Sequence, residues 1–208
     1  MRTLVISDLH LGGRLGHDVL RRPEPLSRLL AASEQADRVV LLGDTVELME
    51  GRASQALAVA EPILRALGDR LGPAREVIIV PGNHDRPLVR SWVRAHGAEL
   101  TVDTELALDT TPALERVASW LAPATVRVHY PGVWLSDRIW ATHGHYLERH
   151  LIPQSAVGVT RDWLGHAPRD HALPIDYERR GRPSLGSTSR WMPRRLAAGV
   201  DNLSLIHI

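Results

Sequence analysis

Asp8 and His10 stand two residues apart, directly after the apolar run Thr3-Leu4-Val5-Ile6-Ser7. Where a chain leaves extended geometry past a strand end, a carboxylate and an imidazole at that spacing can turn toward one cation. The device recurs. Val39-Val40-Leu41-Leu42 runs into Gly43-Asp44, Val77-Ile78-Ile79-Val80 into Pro81-Gly82-Asn83-His84-Asp85, and Arg138-Ile139-Trp140-Ala141-Thr142 into His143-Gly144-His145. Imidazole, carboxylate and amide oxygen without sulfur suit a borderline-hard metal ion.

Each signal alone has a plainer explanation. Asp8 and His10 could lie in a solvated loop, Asp44 in a tight turn, Asn83 in a Gly-Asn turn, and His143 and His145 on the surface. Their common placement at the ends of apolar runs favours chemistry instead. A binuclear centre fits, with Asp8 and His10 on one metal, Asn83 and His143 on the other, and Asp44 bridging. Two such ions hold a hydroxide between them, lower its pKa and clamp the oxygens of an in-line displacement at phosphorus. His84 follows Asn83 and can face the substrate, giving a proton to the leaving oxygen or stabilising its charge. Asp85 is the carboxylate expected to orient that imidazole and favour its protonated form. Arg14 and Arg86 lie beside the motif loops and could grip a phosphate.

The elements that must position these residues follow from pattern. Strands are expected at 3–7, 39–42 and 77–80. A helix opens at Pro23 and Pro25, with Leu26, Leu29 and Leu30 on one face. A longer helical pattern carries Ala56, Leu57, Ala60, Ile63, Leu64, Leu67 and Leu71, with Pro62 inside it as a kink or a second start, and Gly72-Pro73 stops it. Pro87 can open a further helix. Strand, helix, strand, helix, strand, helix argues for a parallel sheet covered by helices. Such sheets bind ligands at the carboxyl ends of their strands, where every motif falls. Beyond residue 98 a helix is expected over 111–122. An alternating strand over 125–129, then 133–135, a turn at Ser136-Asp137 and a strand over 138–142 suggest a second sheet on the first. Helices are expected at 154–164 and 187–198, around the polar stretch Arg179-Arg180-Gly181-Arg182-Pro183. Trp134, Trp140, Trp163 and Trp191 read as packing residues.

Composition narrows the chemistry further. With 208 residues and 44% hydrophobic content, one domain with a small appendage can build a core. All 25 basic residues are arginine, so lysine mechanisms are excluded and every cation suits forked oxyanion contacts. Cysteine is absent, which excludes thiolate nucleophiles and sulfur-ligated metal. A net charge of +1 makes no case for nucleic acid or an anionic membrane. No stretch approaches the ~20 apolar residues of a membrane span, and the run before Asp8 is too short for a signal peptide's core. A cytoplasmic location is expected.

The ordered set Asp8-Leu9-His10, Gly43-Asp44, Gly82-Asn83-His84-Asp85 and His143-Gly144-His145 resembles the calcineurin-like metallophosphoesterase superfamily. The resemblance spans residues 3–150. It implies an α/β fold in four layers, αββα, with two mixed sheets face to face and helices outside. It also implies a di-metal phosphoesterase using manganese, or iron, zinc or nickel. Its substrate would carry phosphate, as a small molecule or a lipid-linked nucleotide. A looser likeness is to UDP-2,3-diacylglucosamine hydrolases, from which the chain departs at His84 and His145. The superfamily normally closes with Gly-His-x-His, which nothing after His145 matches; Gly165-His166-Ala167-Pro168 only begins like it. The ending Leu203-Ser204-Leu205-Ile206-His207-Ile208 is similar to translated sequencing adaptor. The expected organisation is therefore a core over 1–150, a helical insertion or cap over 151–200, and an artefactual tail over 201–208, with the last strands missing. His145, His150 or His166 could substitute for the absent ligands. The other readings of the same fold are a protein-interaction module without catalysis, and a nuclease using the basic run from Arg179 to Arg182.

Overall fold

Apolar, β-branched runs make the centre of the molecule. Val39, Val40, Leu41, Val77, Ile78, Ile79 and Val80 are buried, and they belong to two adjacent parallel strands, β2 (Arg38–Leu42) and β3 (Glu76–Val80). The computed structural model describes residues 1–14, 18–146 and 174–178. The chain divides into a unit Met1–His143 and a unit Gly144–Ile208.

In the first unit, β1 (Thr3–Ile6) pairs parallel with β2, and β5 (Thr125–Tyr130) pairs parallel with β3. A short β4 (Thr104–Leu106) closes the sheet antiparallel to β5, giving the order β1-β2-β3-β5-β4. β6 (Gly132–Trp134) and β7 (Trp140–Thr142) form a separate antiparallel pair. The expectation that the 125–129 strand opens a second sheet is corrected: it joins the first. Its alternation reflects Arg127, whose guanidinium bonds Glu105 on β4 and Glu76 on β3, set among inward Val126 and Val128 neighbours. The second sheet is thus the β6–β7 hairpin among the described residues. It packs through Val133 and Leu135 on Val40, Leu42, Ile78 and Val80, and the Arg38 guanidinium donates to the Leu135 carbonyl at 2.9 Å.

Alternation turns Val39, Leu41, Val77 and Ile79 to the opposite face of the sheet. The helices are α1 (Pro23–Ser33), α2 (Ala53–Leu71), α3 (Arg90–His96) and α4 (Pro112–Trp120). α2 lies between α1 and α4 and buries one stripe, Ala56, Leu57, Ala60, Ile63, Leu64, Leu67 and Leu71. It runs unbroken through Pro62. That residue is on the exposed face, as is Ala58, so the carbonyl deprived of an N–H partner meets water. The helix expected at Pro87 is a 3-10 turn, Arg86–Leu88, followed by α3. Thr111 caps α4 by accepting the Leu114 N–H at 3.1 Å and ties it to the site-bearing loop by donating to the Leu88 carbonyl at 2.8 Å.

The architecture is an α/β sandwich: helices, a five-stranded mostly parallel sheet, and a smaller sheet. In the second unit, α5 (Pro174–Glu178) is a short helix, and the Tyr146 hydroxyl donates to Glu178 Oε1 at 2.9 Å. The rest of the expected cap over 151–200 lies outside the described residues, as do the tail over 201–208, His150, His166, Trp163 and Trp191. Trp134 is 45% exposed, against its expected packing role, and Trp140 donates to the Val102 carbonyl at 2.9 Å. No helix among the described residues is long and apolar enough to cross a membrane.

α2 packs closely at Gly68, where a methyl group would stand 2.5 Å from the Leu121 carbonyl oxygen. Alanine gains about 1 kcal/mol of helix propensity over glycine. Forcing two backbones apart costs about 1–3 kcal/mol, so Gly68→Ala should lower the urea unfolding midpoint rather than raise it.

Candidate metal centre

β1, β2 and β3 end nearly level, with Ile6 opposite Leu41 and Leu42 opposite Val80. The loops that follow therefore leave one edge together. Backbone bonds continue between the first two loops beyond the ladder. The Asp8 N–H donates to the Gly43 carbonyl at 3.1 Å, His10 to Asp44 at 2.8 Å, Leu11 to Thr45 at 3.0 Å and Glu47 to Leu11 at 3.0 Å. The third loop is tied in by a side chain. Asp85 is fully buried, and its carboxylate accepts N–H bonds from Gly82 at 2.5 Å, Thr45 at 2.7 Å and Asp44 at 3.3 Å.

These constraints bend the backbone. Asp8, His10 and Asp44 have φ of 57°, 43° and 52°, and no other non-glycine residue among those described has positive φ. Left-handed backbone costs about 1–2 kcal/mol at such residues, and strain of this kind concentrates at functional sites. Gly43, at φ 84°, is required for a second reason: a methyl there would stand 2.3 Å from the His143 ring.

The result is a ring of donors. Asp44 Oδ2 lies 3.7 Å from His10 Nε2 and 3.6 Å from His143 Nε2. Asp8 Oδ1 lies 3.9 Å from His10 Nε2 and 3.4 Å from His143 Nε2. Two ligands each about 2.1 Å from one cation stand roughly 3.4 Å apart across a tetrahedral edge. The His10 separations of 3.7 and 3.9 Å are too long for hydrogen bonds and leave room for a cation, whereas His143 Nε2 meets Asp8 Oδ1 at 3.4 Å in a long hydrogen bond. Asp44 Oδ1 is turned away and accepts the His84 N–H at 2.8 Å. Asn83 is half-buried between Gly82 and His84 on the same turn. The structure thus brings Asp8, His10, Asp44 and His143 into one cluster, with Asn83 on an adjoining turn. His145 belongs to the second unit, where its ring meets Tyr146.

The carboxylate against the His84 ring is Glu47, not Asp85. Glu47 Oε2 lies 2.6 Å from His84 Nδ1 and 3.0 Å from His10 Nδ1, and the two rings meet edge to face at 4.7 Å. Asp85 cannot take that part because its oxygens are committed to backbone N–H groups. Sequence reasoning passed over Glu47. The available signal was one acid inside the otherwise uncharged stretch Thr45-Val46-Glu47-Leu48-Met49. Arg14 is exposed and lies along Gly51; Arg86 is half-buried at the start of its 3-10 turn.

Electrostatics favours added positive charge. Burial pushes the Asp85 carboxyl up to about 6, and the Asp44 charge acts in the same direction. Burial alone would raise Glu47 too, but hydrogen bonds from His10 and His84 hold it well below the ordinary carboxylate range. The bond to Glu47 raises His10, assisted by Asp44 and opposed by burial. Burial would lower His143, and the Asp8 bond and Asp44 charge raise it instead. Four acids against three imidazoles form a pocket that holds protons or cations, and its unprotonated nitrogen and oxygen donors fit a divalent metal. Asp8, His10 and Asp44 group closely enough to share one ion, as do His10, Glu47 and His84.

A family model for calcineurin-like phosphoesterases matches residues 1–193. The chain belongs to that family. It is accordingly a metallophosphoesterase by descent, a family whose members hydrolyse phosphoesters with divalent metal ions. No curated protein and no solved structure matches the chain.

Two substitutions test the packing of this calcineurin-like site. Gly82→Ala would set a methyl 2.3 Å from Asp44 Oδ1 and 2.9 Å from His143 Nδ1; Mn²⁺ affinity by titration calorimetry should fall by about tenfold or more. Asp85→Asn keeps the shape but offers an N–H₂ where N–H groups already point. Urea unfolding should show a loss of about 2–4 kcal/mol.

Proposed function

We propose that this chain hydrolyses a phosphoester or pyrophosphate bond with two divalent transition-metal ions, manganese foremost among manganese, iron, zinc and nickel. The observation that carries the reading is Asp44 Oδ2, which lies within 3.7 Å of His10 Nε2 and 3.6 Å of His143 Nε2. One oxygen between nitrogens that arrive from different strand ends suits a ligand shared by two ions. In this reading Asp8 and His10 serve one ion, Asn83 and His143 the other, and Asp44 both. Bound divalent cations acidify a water molecule and neutralise charge on phosphoryl oxygens.

The remaining work falls to the chain's own groups. The His84 side chain is 17% exposed against 4% for Asp44, which suits a group that meets substrate above the metal ligands. With Nδ1 against Glu47, His84 serves the leaving oxygen through Nε2, as general acid or as a stabiliser of its charge. Asp85 acts at a remove: it fixes the turn that carries Asn83 and His84. Arg14 and Arg86 grip phosphate oxygens with their forked donors. The substrate is a phosphate-bearing small molecule or a lipid-linked nucleotide.

The test uses the full chain, stripped of metal and reloaded with Mn²⁺, on an aryl phosphomonoester, an aryl phosphodiester and pyrophosphate. Hydrolysis of one of them is expected, with Asp44→Asn lowering it by about 100-fold or more. Arg14→Ala or Arg86→Ala should raise KM more than it lowers kcat. Absence of hydrolysis with all four metals would overturn the reading.

A further inference from the structure

Glu47 is 2% exposed, and a buried carboxylate is costly unless every oxygen is matched. Here both are. Oε1 accepts the N–H groups of Met49 and Glu50, each at 2.9 Å. Oε2 faces two imidazole nitrogens, His10 Nδ1 at 3.0 Å and His84 Nδ1 at 2.6 Å. An ionised carboxylate accepts and cannot donate, so the His10 Nδ1 bonded to it must carry the hydrogen. A neutral His10 with hydrogen on Nδ1 has a bare lone pair on Nε2. That is the nitrogen set toward Asp44 Oδ2 and Asp8 Oδ1 at 3.7 and 3.9 Å.

We infer that Glu47 is a positioning residue that selects the His10 tautomer, leaving Nε2 ready for a cation. The cation half of this inference rests on the proposed metal centre; the tautomer half stands on the hydrogen-bond geometry alone. Chemistry and packing make opposite predictions for one variant. In Glu47→Gln the amide oxygen must take the Oε1 place, because two backbone N–H groups point there. The amide N–H₂ then faces His10 Nδ1 and donates to it. His10 must accept on Nδ1, so its hydrogen moves to Nε2 and blocks the ligand lone pair. Glu47→Ala removes the hub and lets His10 adopt either tautomer. Tautomer selection therefore ranks cation affinity as wild type, then Glu47→Ala, then Glu47→Gln. A purely structural Glu47 ranks Gln, the near-isostere, above Ala.

The experiment has two arms. Nitrogen-15 NMR of the imidazoles is recorded on the metal-free full chain at a pH of about 9, above the imidazole range, with the His10 signals assigned through His10→Asn. Wild type should show His10 with hydrogen on Nδ1, and Glu47→Gln with hydrogen on Nε2. Wild-type His10 with hydrogen on Nε2 overturns the inference, whether or not either variant folds. Mn²⁺ titration calorimetry on the three proteins should give a loss of about 10–100-fold for Glu47→Gln and a smaller loss for Glu47→Ala. The reverse order overturns the inference while leaving the metal centre intact. Failure of wild type to bind any metal, with the tautomer as expected, sinks the proposed centre and limits Glu47 to ordering the His10 ring.

Discussion

A single buried carboxylate locks the turn after β3 onto the turn after β2. Asp85 takes N–H bonds from its own turn and from the turn after β2, so the loops carrying Asn83 and Asp44 cannot move independently. The loops carrying Asp8 and Asp44 are joined by backbone bonds instead. The distances among Asp8, His10, Asp44 and the Asn83 turn depend on these two kinds of staple. The bond from the His84 N–H to Asp44 Oδ1 is a consequence, since it needs the third turn already docked on the second.

Such docking has an energetic cost that the scaffold must offset. Three non-glycine residues sit in left-handed backbone, and the carboxylates of Asp44, Glu47 and Asp85 are buried close together. The offsets lie below the site, in β2 and β3, whose apolar side chains are buried on both faces. Parallel strands covered on both sides make a stiff platform, and a stiff platform can hold strained loops where a lone hairpin would relax. Cation binding would relieve the remaining repulsion.

Glu47 shows how second-layer contacts complete such a centre. It is not itself an expected ligand, yet one of its oxygens meets the far nitrogen of one ligand and lies beside the near nitrogen of the acid candidate. Ligand orientation and acid placement thereby share a common reference. A hub of this kind explains why an acid sits where an apolar residue would otherwise continue the run after Asp44.

Much of this was legible in one dimension. Strand, helix and strand from Thr3 to Val80 follow directly from apolar period and from glycine and proline punctuation, and the donors at the strand ends follow from residue type. β5 was not legible as a member of the first sheet, because its partner β4 is three residues long and nothing local announces it. Asp85 and Glu47 look alike in sequence, each an acid within three residues of a motif residue; only the fold assigns one to backbone N–H groups and the other to the side of two imidazoles. Local pattern determined which residues could bind a cation and that they lie at strand ends, since period and side-chain chemistry are carried by neighbours in the chain. Which carboxylate orients which ring was decided by tertiary structure, because hydrogen bonds among loops from three strands depend on distances that no stretch of sequence contains.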